Sequence, residues 1–518
     1  MSEADQIAVR RPFRTGHEPA TPGPVAAADS GDGRPVLVFP DPVDGHPMTF
    51  EIGGRSSAPT AAELAAGPTL GMGAVLGETL RRIAAGSGDR ERTQRDAVIA
   101  FTVRVTSAAL LYLTQIVLAR WMGSTEYGIY VFVWTWVLVL GGLSHLGLSL
   151  AMIRLLPAYR EADELDLARG LVRGGRLAAL GLGTLVAMLA IGGLWLLGPA
   201  VTGPYVLPLY IALACVPMFA LTDVQDGIGR GQAWMDLALL PPYVLRPLLL
   251  LGAMLAAHLL GLPMRAESAA GAAIVATWGA AAVQTVFINR RLRAAVPAGA
   301  RRMAFRDWFR ISLPLVVIAA CELVLQNADV LVISRYMTPA DVGIYFAAAK
   351  TMSLILFVHY AVGSAVANRF AALNTRGDRD ALRAFVRDAV NWTFWPSLAS
   401  ALLILVLGLP LLALFGPQFE AGYPVMAILV LGFLARAAMG PSEFLLNMLG
   451  EQQLCAAVLA VAAALDIALA FALVPAFGLV GAAAATSIAL AVAAGLNDLV
   501  ARRRLGIAIA IWHNVGGR

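Results

Sequence analysis

The chain is 518 residues long, 58% hydrophobic and only 14% charged, with a mean hydropathy of +0.72 and a formal net charge of +5. That balance excludes a soluble globular protein, and apolar runs of about 20 residues are each long enough to cross roughly 30 Å of hydrocarbon. Cys215, Cys321 and Cys455 all fall inside such runs, so neither a disulfide framework nor a zinc site is expected.

Residues 1–95 are rich in Gly, Pro, Ala and charge and are read as a disordered cytoplasmic N-terminal extension. Within it, Pro35–Phe39 suits a short strand, and Ala61–Ala85 suits an amphipathic helix ending in Arg81 and Arg82 on anionic lipid. Arg10, Arg11 and Arg14 precede polar sequence rather than an apolar core, so no twin-arginine or cleavable signal is expected.

From there hydropathy predicts twelve spans, the first six at about 97–119, 127–151, 172–197, 204–226, 234–260 and 268–289. The second six cover about 311–334, 342–367, 390–415, 423–445, 454–475 and 479–500. The connections alternate in charge. One carries Arg154, Arg160, Arg169, Arg173 and Arg176, another Arg290, Arg291, Arg293, Arg301, Arg302, Arg306 and Arg310, and a third Arg369, Arg376, Arg379, Arg383 and Arg387. The connections between them, such as Gly198–Gly203, are nearly uncharged. By the positive-inside rule the arginine-rich loops and both termini are cytoplasmic in a multi-pass membrane protein. The expected fold is all-α and polytopic, with about twelve transmembrane helices in two six-helix lobes at residues 96–300 and 301–505 and a cytoplasmic tail at 506–518.

The two lobes follow from an internal echo. Arg120–Val131 (RWMGSTEYGIYV) returns as Arg335–Phe346 (RYMTPADVGIYF), keeping Arg120/Arg335, Met122/Met337, Gly128/Gly343, Ile129/Ile344 and Tyr130/Tyr345. Glu126/Asp341 keeps its charge and Ala119/Ser334 stays small. Gly271–Thr277 answers Gly481–Thr486 at the start of each half's last span, as small residues do where helices pack closely in lipid. With an even number of spans per half, the halves run parallel about an axis along the membrane normal.

The exit of span one (ARWMGSTEYGIY), the LGL–xx–A–xx–R–xx–P pattern at Leu146–Pro157, and Val474–Ala489 (VPAFGLVGAAAATSIA) resemble the polysaccharide-transporter branch of the multidrug/oligosaccharidyl-lipid/polysaccharide exporter superfamily. Asn327–Ala328–Asp329 leading into SRYMTPADVGIY fits the same branch. The resemblance covers residues of about 97–505 and implies a flippase that moves polyprenyl-pyrophosphate-linked repeat units by alternating access. It also implies a role in exopolysaccharide, capsule or O-antigen assembly, with glycosyltransferases or a polymerase of the pathway as candidate partners. The alternatives are a multidrug cation antiporter of the superfamily and a membrane-embedded polysaccharide polymerase. The short outward loops and the tandem repeat argue against the polymerase.

Ionisable groups inside spans are costly unless they face water, protein or a partner charge, so they are the candidate site. Arg104, Arg246, Lys350 and Arg436 are the cations placed to hold a diphosphate, and Lys350 is the chain's only lysine. Glu322 and Asp329, with His145 and His359, are the candidates for gating or ion coupling. Asp223, Asp226, Asp236 and Asp466 lie nearer span ends or in counterpart spans. Helical rise puts Asp329 and Lys350 at depths differing by about 5 Å, which predicts an ion pair. Their first-half counterparts are Thr114 and Thr135, and Arg104 maps to Ala319, so the charges were not copied with the scaffold. Tyr112, Trp134, Trp136 and Tyr360 offer rings for sugar stacking. No phosphate-binding GxxxxGK[ST] loop, catalytic constellation, cofactor motif, metal site or nucleic-acid partner is indicated, and no enzyme activity is expected.

Overall fold

The computed structural model describes residues 28–30, 34–39, 48–51, 89–197, 203–295 and 297–515, with side chains from Thr106 onward except at Pro314, Asn514 and Val515. Contacts divide the chain into Met1–Ala85 and Gly86–Arg518. In the first unit, β1 (Ala28–Ser30), β2 (Arg34–Phe39) and β3 (Met48–Glu51) form an antiparallel meander with Ala28 opposite Val36 and Val38 opposite Thr49. The strand expected at Pro35–Phe39 is β2. The helix expected at Ala61–Ala85 lies outside the described residues.

The second unit is helical. Among the described residues, length and composition pick out nine helices able to cross a membrane, or ten with the bent pair Val206–Leu213 and Val216–Gly231. Two of these ten are continuous only in hydrogen bonding, each interrupted by a glycine with positive φ, at Gly123 (78°) and Gly478 (59°). The chain reverses at both. The Tyr127 hydroxyl donates to Gln115 Oε1 at 2.9 Å, whereas twelve residues of straight helix would separate them by about 18 Å. A Cβ on Gly481 would lie 2.3 Å from the Leu473 carbonyl oxygen across the second turn. A left-handed turn this tight is where glycine's missing Cβ is needed.

Among the described residues, counting both turns gives twelve helical segments, six in each lobe. They are α1 (89–122), α2 (124–161), α3 (Leu165–Leu197), α4 (Val206–Leu213 with Val216–Gly231), α5 (Met235–Leu259) and α6 (Ala266–Ala295). The second lobe has α7 (Phe305–Tyr336), α8 (Pro339–Arg376), α9 (Arg379–Val406), α10 (Pro417–Met448), α11 (452–477) and α12 (479–505). Leu196, Leu259 and Val406 are 78%, 77% and 78% exposed, which only a lipid surround makes favourable. Six of the seven alanines in the two echoing runs, Ala272, Ala273, Ala276, Ala482, Ala483 and Ala485, are buried, so their small size serves packing.

Local chemistry explains the helix starts. Thr338 and Asp341 form a capping box, in which Asp341 N donates to the Thr338 hydroxyl and Thr338 N to the Asp341 carboxylate. The first-lobe counterpart does a different job, because Glu126 accepts from Ala266 N at 2.8 Å and so caps α6. On the arginine-rich face, Arg169 donates to the carbonyls of Pro297 and Ala300, both at 2.9 Å, and Arg302 pairs with Asp166 at 3.1 Å. The connection between the lobes is thereby held against the start of α3.

The lobes meet through the repeated motif itself. A Cβ on Gly128 would lie 1.7 Å from the Pro339 carbonyl oxygen and 2.9 Å from Gly343 N. A Cβ on Gly343 would lie 2.7 Å from the Ser124 carbonyl oxygen and 3.2 Å from Gly128 N. The two copies of one glycine therefore face each other across the pseudo-symmetry axis. Both were retained because each gives the other room.

Candidate functional site

Next to that crossing, aromatic side chains from both lobes interlock. Tyr127 meets Phe346 and Phe419 edge-on at 6.3 and 5.9 Å, and Tyr112 meets Phe415 at 5.6 Å. The Tyr112 and Thr351 hydroxyls share a 2.9 Å hydrogen bond across the seam. Beside Thr351, Lys350 is exposed on α8 and its Nζ lies 5.0 Å from the Phe346 ring centroid. By helical rise Lys350 sits about 10 Å from the glycine crossing toward the arginine-rich face.

Lys350 does not pair with Asp329, contrary to the depth argument. Asp329 turns into its own lobe, where one carboxylate oxygen accepts from the Tyr345 hydroxyl at 2.5 Å and the Thr486 hydroxyl at 2.8 Å. Similar depth along the membrane normal does not bring two side chains together, because rotation about the helix axis decides which neighbour a side chain meets. Among the described residues no carboxylate forms an ion pair with Lys350.

Asp329 instead neighbours Asp466 of α11, the two carboxylates lying within electrostatic reach of each other. Asp466 is fully buried and Asp329 9% exposed. Three of their four oxygens, Asp329 Oδ1 and both of Asp466, have no hydrogen-bond partner among the described residues. Such groups are costly in low dielectric unless a proton or cation joins them. Tyr345 is the repeat counterpart of Tyr130, which stacks on Trp134 at 6.2 Å instead. Thr114, the counterpart of Asp329, gives its hydroxyl to its own helix at the Leu110 carbonyl.

The remaining candidates form one cluster in each lobe. In the first, His145 Nε2 lies 3.5 Å from Asp223 Oδ2, at a break in α2 where Leu146 and Gly147 have positive φ. Arg246 opens onto this region from a helix whose preceding turn, Pro241–Leu245, is π-wound. Its guanidinium lies over the rings of Trp134 at 5.6 Å and Phe219 at 5.2 Å. In the second lobe, Arg436 donates to Glu443 at 2.8 Å and sits 6.0 Å from the Tyr360 ring centroid. Glu322 lies within electrostatic reach of both, and His359 packs against Phe444 and Tyr360. His145 and His359 lie 17 and 16 residues beyond the facing glycines, each about 25 Å from that crossing. The side chain of Arg104 lies outside the described residues.

Sequence reasoning passed over Glu443 and gave Asp466 no role. Glu443 was visible as a carboxylate inside the tenth predicted span, seven residues after Arg436. Asp466 becomes notable only when the fold places it beside Asp329.

Residues 94–368, 275 of the 518, match the family described as polysaccharide biosynthesis protein. The chain belongs to that family. Its sequence matches no curated protein. Among solved structures it is similar to an inward-facing multidrug resistance MATE family transporter of the MOP superfamily, with 16% identity over 78% of this chain and 98% of the other and a TM-score of 0.64. It is also similar to the lipid II flippase MurJ in an inward closed conformation, with 13% identity over 78% and 87% of the chains and a TM-score of 0.61. A third is a MOP superfamily transporter from Pyrococcus furiosus, with 15% identity, 79% and 94% coverage and a TM-score of 0.57. At these identities the likeness is one of fold. This member of the polysaccharide biosynthesis family is a multi-pass membrane protein with the architecture of MOP superfamily transporters.

Proposed function

We propose that the protein is a flippase that carries polyprenyl-pyrophosphate-linked oligosaccharide repeat units across the bacterial inner membrane by alternating access, with the arginine-rich face and both termini cytoplasmic. The observation that carries this reading is Lys350, the chain's only lysine, lying exposed at the seam between lobes without a carboxylate partner among the described residues. A lone cation inside a membrane protein suits an anionic cargo group, and an ammonium on a flexible stem follows a diphosphate as it moves. Family membership supports the glycan part of the cargo. Arg246 and Arg104 supplement the charge, whereas Arg436 is already neutralised by Glu443.

The Asp329–Asp466 pair is the ion-coupling site in this reading. A proton or sodium ion entering between the two carboxylates satisfies the unpartnered oxygens, and its movement down a gradient drives the return of the empty carrier.

The test is translocation of a fluorescent lipid-linked oligosaccharide in proteoliposomes, comparing wild type with Lys350→Gln. Because Lys350 is exposed, the variant folds, and translocation falls by at least about tenfold, as expected for losing one charge-assisted contact. Wild-type rates from folded Lys350→Gln overturn the reading.

A further inference from the structure

The His359 cluster poses a separate question, because its hydrogen-bonding capacity is unfilled. His359 is 2% exposed, and neither Nδ1 nor Nε2 has a hydrogen-bond partner among the described residues. A neutral imidazole carries one donor and one acceptor, so both kinds are left unmet at a buried position. Arg436 Nε is a buried donor without an acceptor. Around them stand Glu443, half-buried and held by Arg436, the exposed Glu322, and the ring of Tyr360, which is 38% exposed.

At this level α7 packs against the other lobe. Leu323, next to Glu322, approaches to 3.1 Å the place where Gly142 of α2 would carry a Cβ. Charges within a span avoid hydrocarbon, which favours the side of the other lobe for this cluster.

We infer that Glu322, His359, Tyr360, Arg436 and Glu443 form a subsite for neutral sugar residues of the cargo, separate from the cation that holds its diphosphate. This inference rests on the flippase reading. A diphosphate offers acceptors only, so it leaves the imidazole acceptor unmet. It is also repelled, since two carboxylates face one guanidinium. A sugar hydroxyl both donates and accepts. Adjacent hydroxyls bridge a carboxylate or a guanidinium, and the apolar C–H face of a pyranose lies against an aromatic ring such as Tyr360. The net negative charge disfavours a uronic acid at this position. The cargo segment resting here is therefore a neutral hexose or N-acetylhexosamine.

The test uses the full-length protein in lipid nanodiscs, titrated calorimetrically with chitotetraose, a hyaluronan tetrasaccharide (of similar size but carrying glucuronate) and inorganic pyrophosphate. Chitotetraose binds saturably, and the hyaluronan tetrasaccharide binds at least about tenfold more weakly. His359→Phe and Glu322→Gln each weaken chitotetraose by about tenfold while leaving pyrophosphate unchanged, as expected for loss of one or two hydrogen bonds. Lys350→Gln does the reverse. Glu322 is exposed, so its variant keeps the test valid should His359→Phe fail to fold.

Absence of chitotetraose binding overturns the inference, as do unchanged affinities in both variants or an equal loss of pyrophosphate. Ethidium binding here in place of chitotetraose also overturns it, in favour of a cationic cargo. Translocation of lipid-linked oligosaccharide by a protein that fails this titration removes the subsite and leaves the flippase reading standing. Chitotetraose binding without translocation does the opposite.

Discussion

Replacing Gly128 with alanine tests the seam directly. The added Cβ would sit 1.7 Å from the Pro339 carbonyl oxygen, 2.7 Å from its carbon and 2.9 Å from Gly343 N. All three are backbone atoms, so no side-chain rotation relieves the overlap. Restoring a normal separation of about 3.5 Å requires the starts of α2 and α8 to part by about 2 Å. Overpacking of this kind costs roughly 1–3 kcal/mol in the conformer where the glycines touch. If the seam opens during transport, the open conformer escapes that cost, and its population rises by about 5- to 150-fold. Spin labels at Thr125 and Arg335, both exposed near the seam, read this in a background lacking native cysteines. Electron–electron double resonance then shows a longer-distance population growing in Gly128→Ala. Gly343→Ala, whose closest approach is 2.7 Å, shows a smaller change, and Gly181→Ala, with nothing within 4 Å, shows none. An unchanged distance distribution in folded Gly128→Ala refutes the assignment of this crossing as the closed seam.

Three further outcomes follow from the geometry. Asp466→Asn keeps the buried shape but removes one of two neighbouring carboxylates, so stimulation of transport by a proton or sodium gradient is lost while the thermal midpoint holds or rises; gradient-stimulated transport at wild-type level counts against the coupling site. Arg246→Ala removes a guanidinium lying over two rings and lowers stability by about 1–2 kcal/mol, measurable by thermal unfolding in detergent, whereas Trp134→Phe retains part of the contact. Glu126→Ala uncaps α6 at about 1 kcal/mol and speeds hydrogen exchange in the first turn after Ala266; unchanged exchange there contradicts the cap.

Much of the scaffold was readable along the chain. Hydropathy separated the spans at Gly123 and Gly478, although hydrogen bonding runs through both turns, because a glycine flanked by two bilayer-length apolar runs marks a reversal whatever the backbone does locally. The repeat then placed Gly128 and Gly343 as equivalents, without revealing that they touch. The site was less legible. The sequence supplied Lys350, Arg436, His359 and Asp329 as charged or polar residues out of place in lipid, and it paired the wrong two.

What the sequence determines alone is therefore one-dimensional. Apolar length sets the number of spans, arginine distribution sets the expected orientation, and the 215-residue echo sets the two-lobe plan, because each depends only on order and spacing along the chain. Tertiary structure decides partnership. Asp329 meets Tyr345, Thr486 and Asp466 rather than Lys350, and Arg436 is claimed by Glu443, because the azimuth of a residue on its helix and the packing of helices far apart in sequence choose its neighbours. Those choices leave Lys350 without a carboxylate partner among the described residues and His359 buried without a hydrogen bond there, the two places at which the proposed cargo contacts are set.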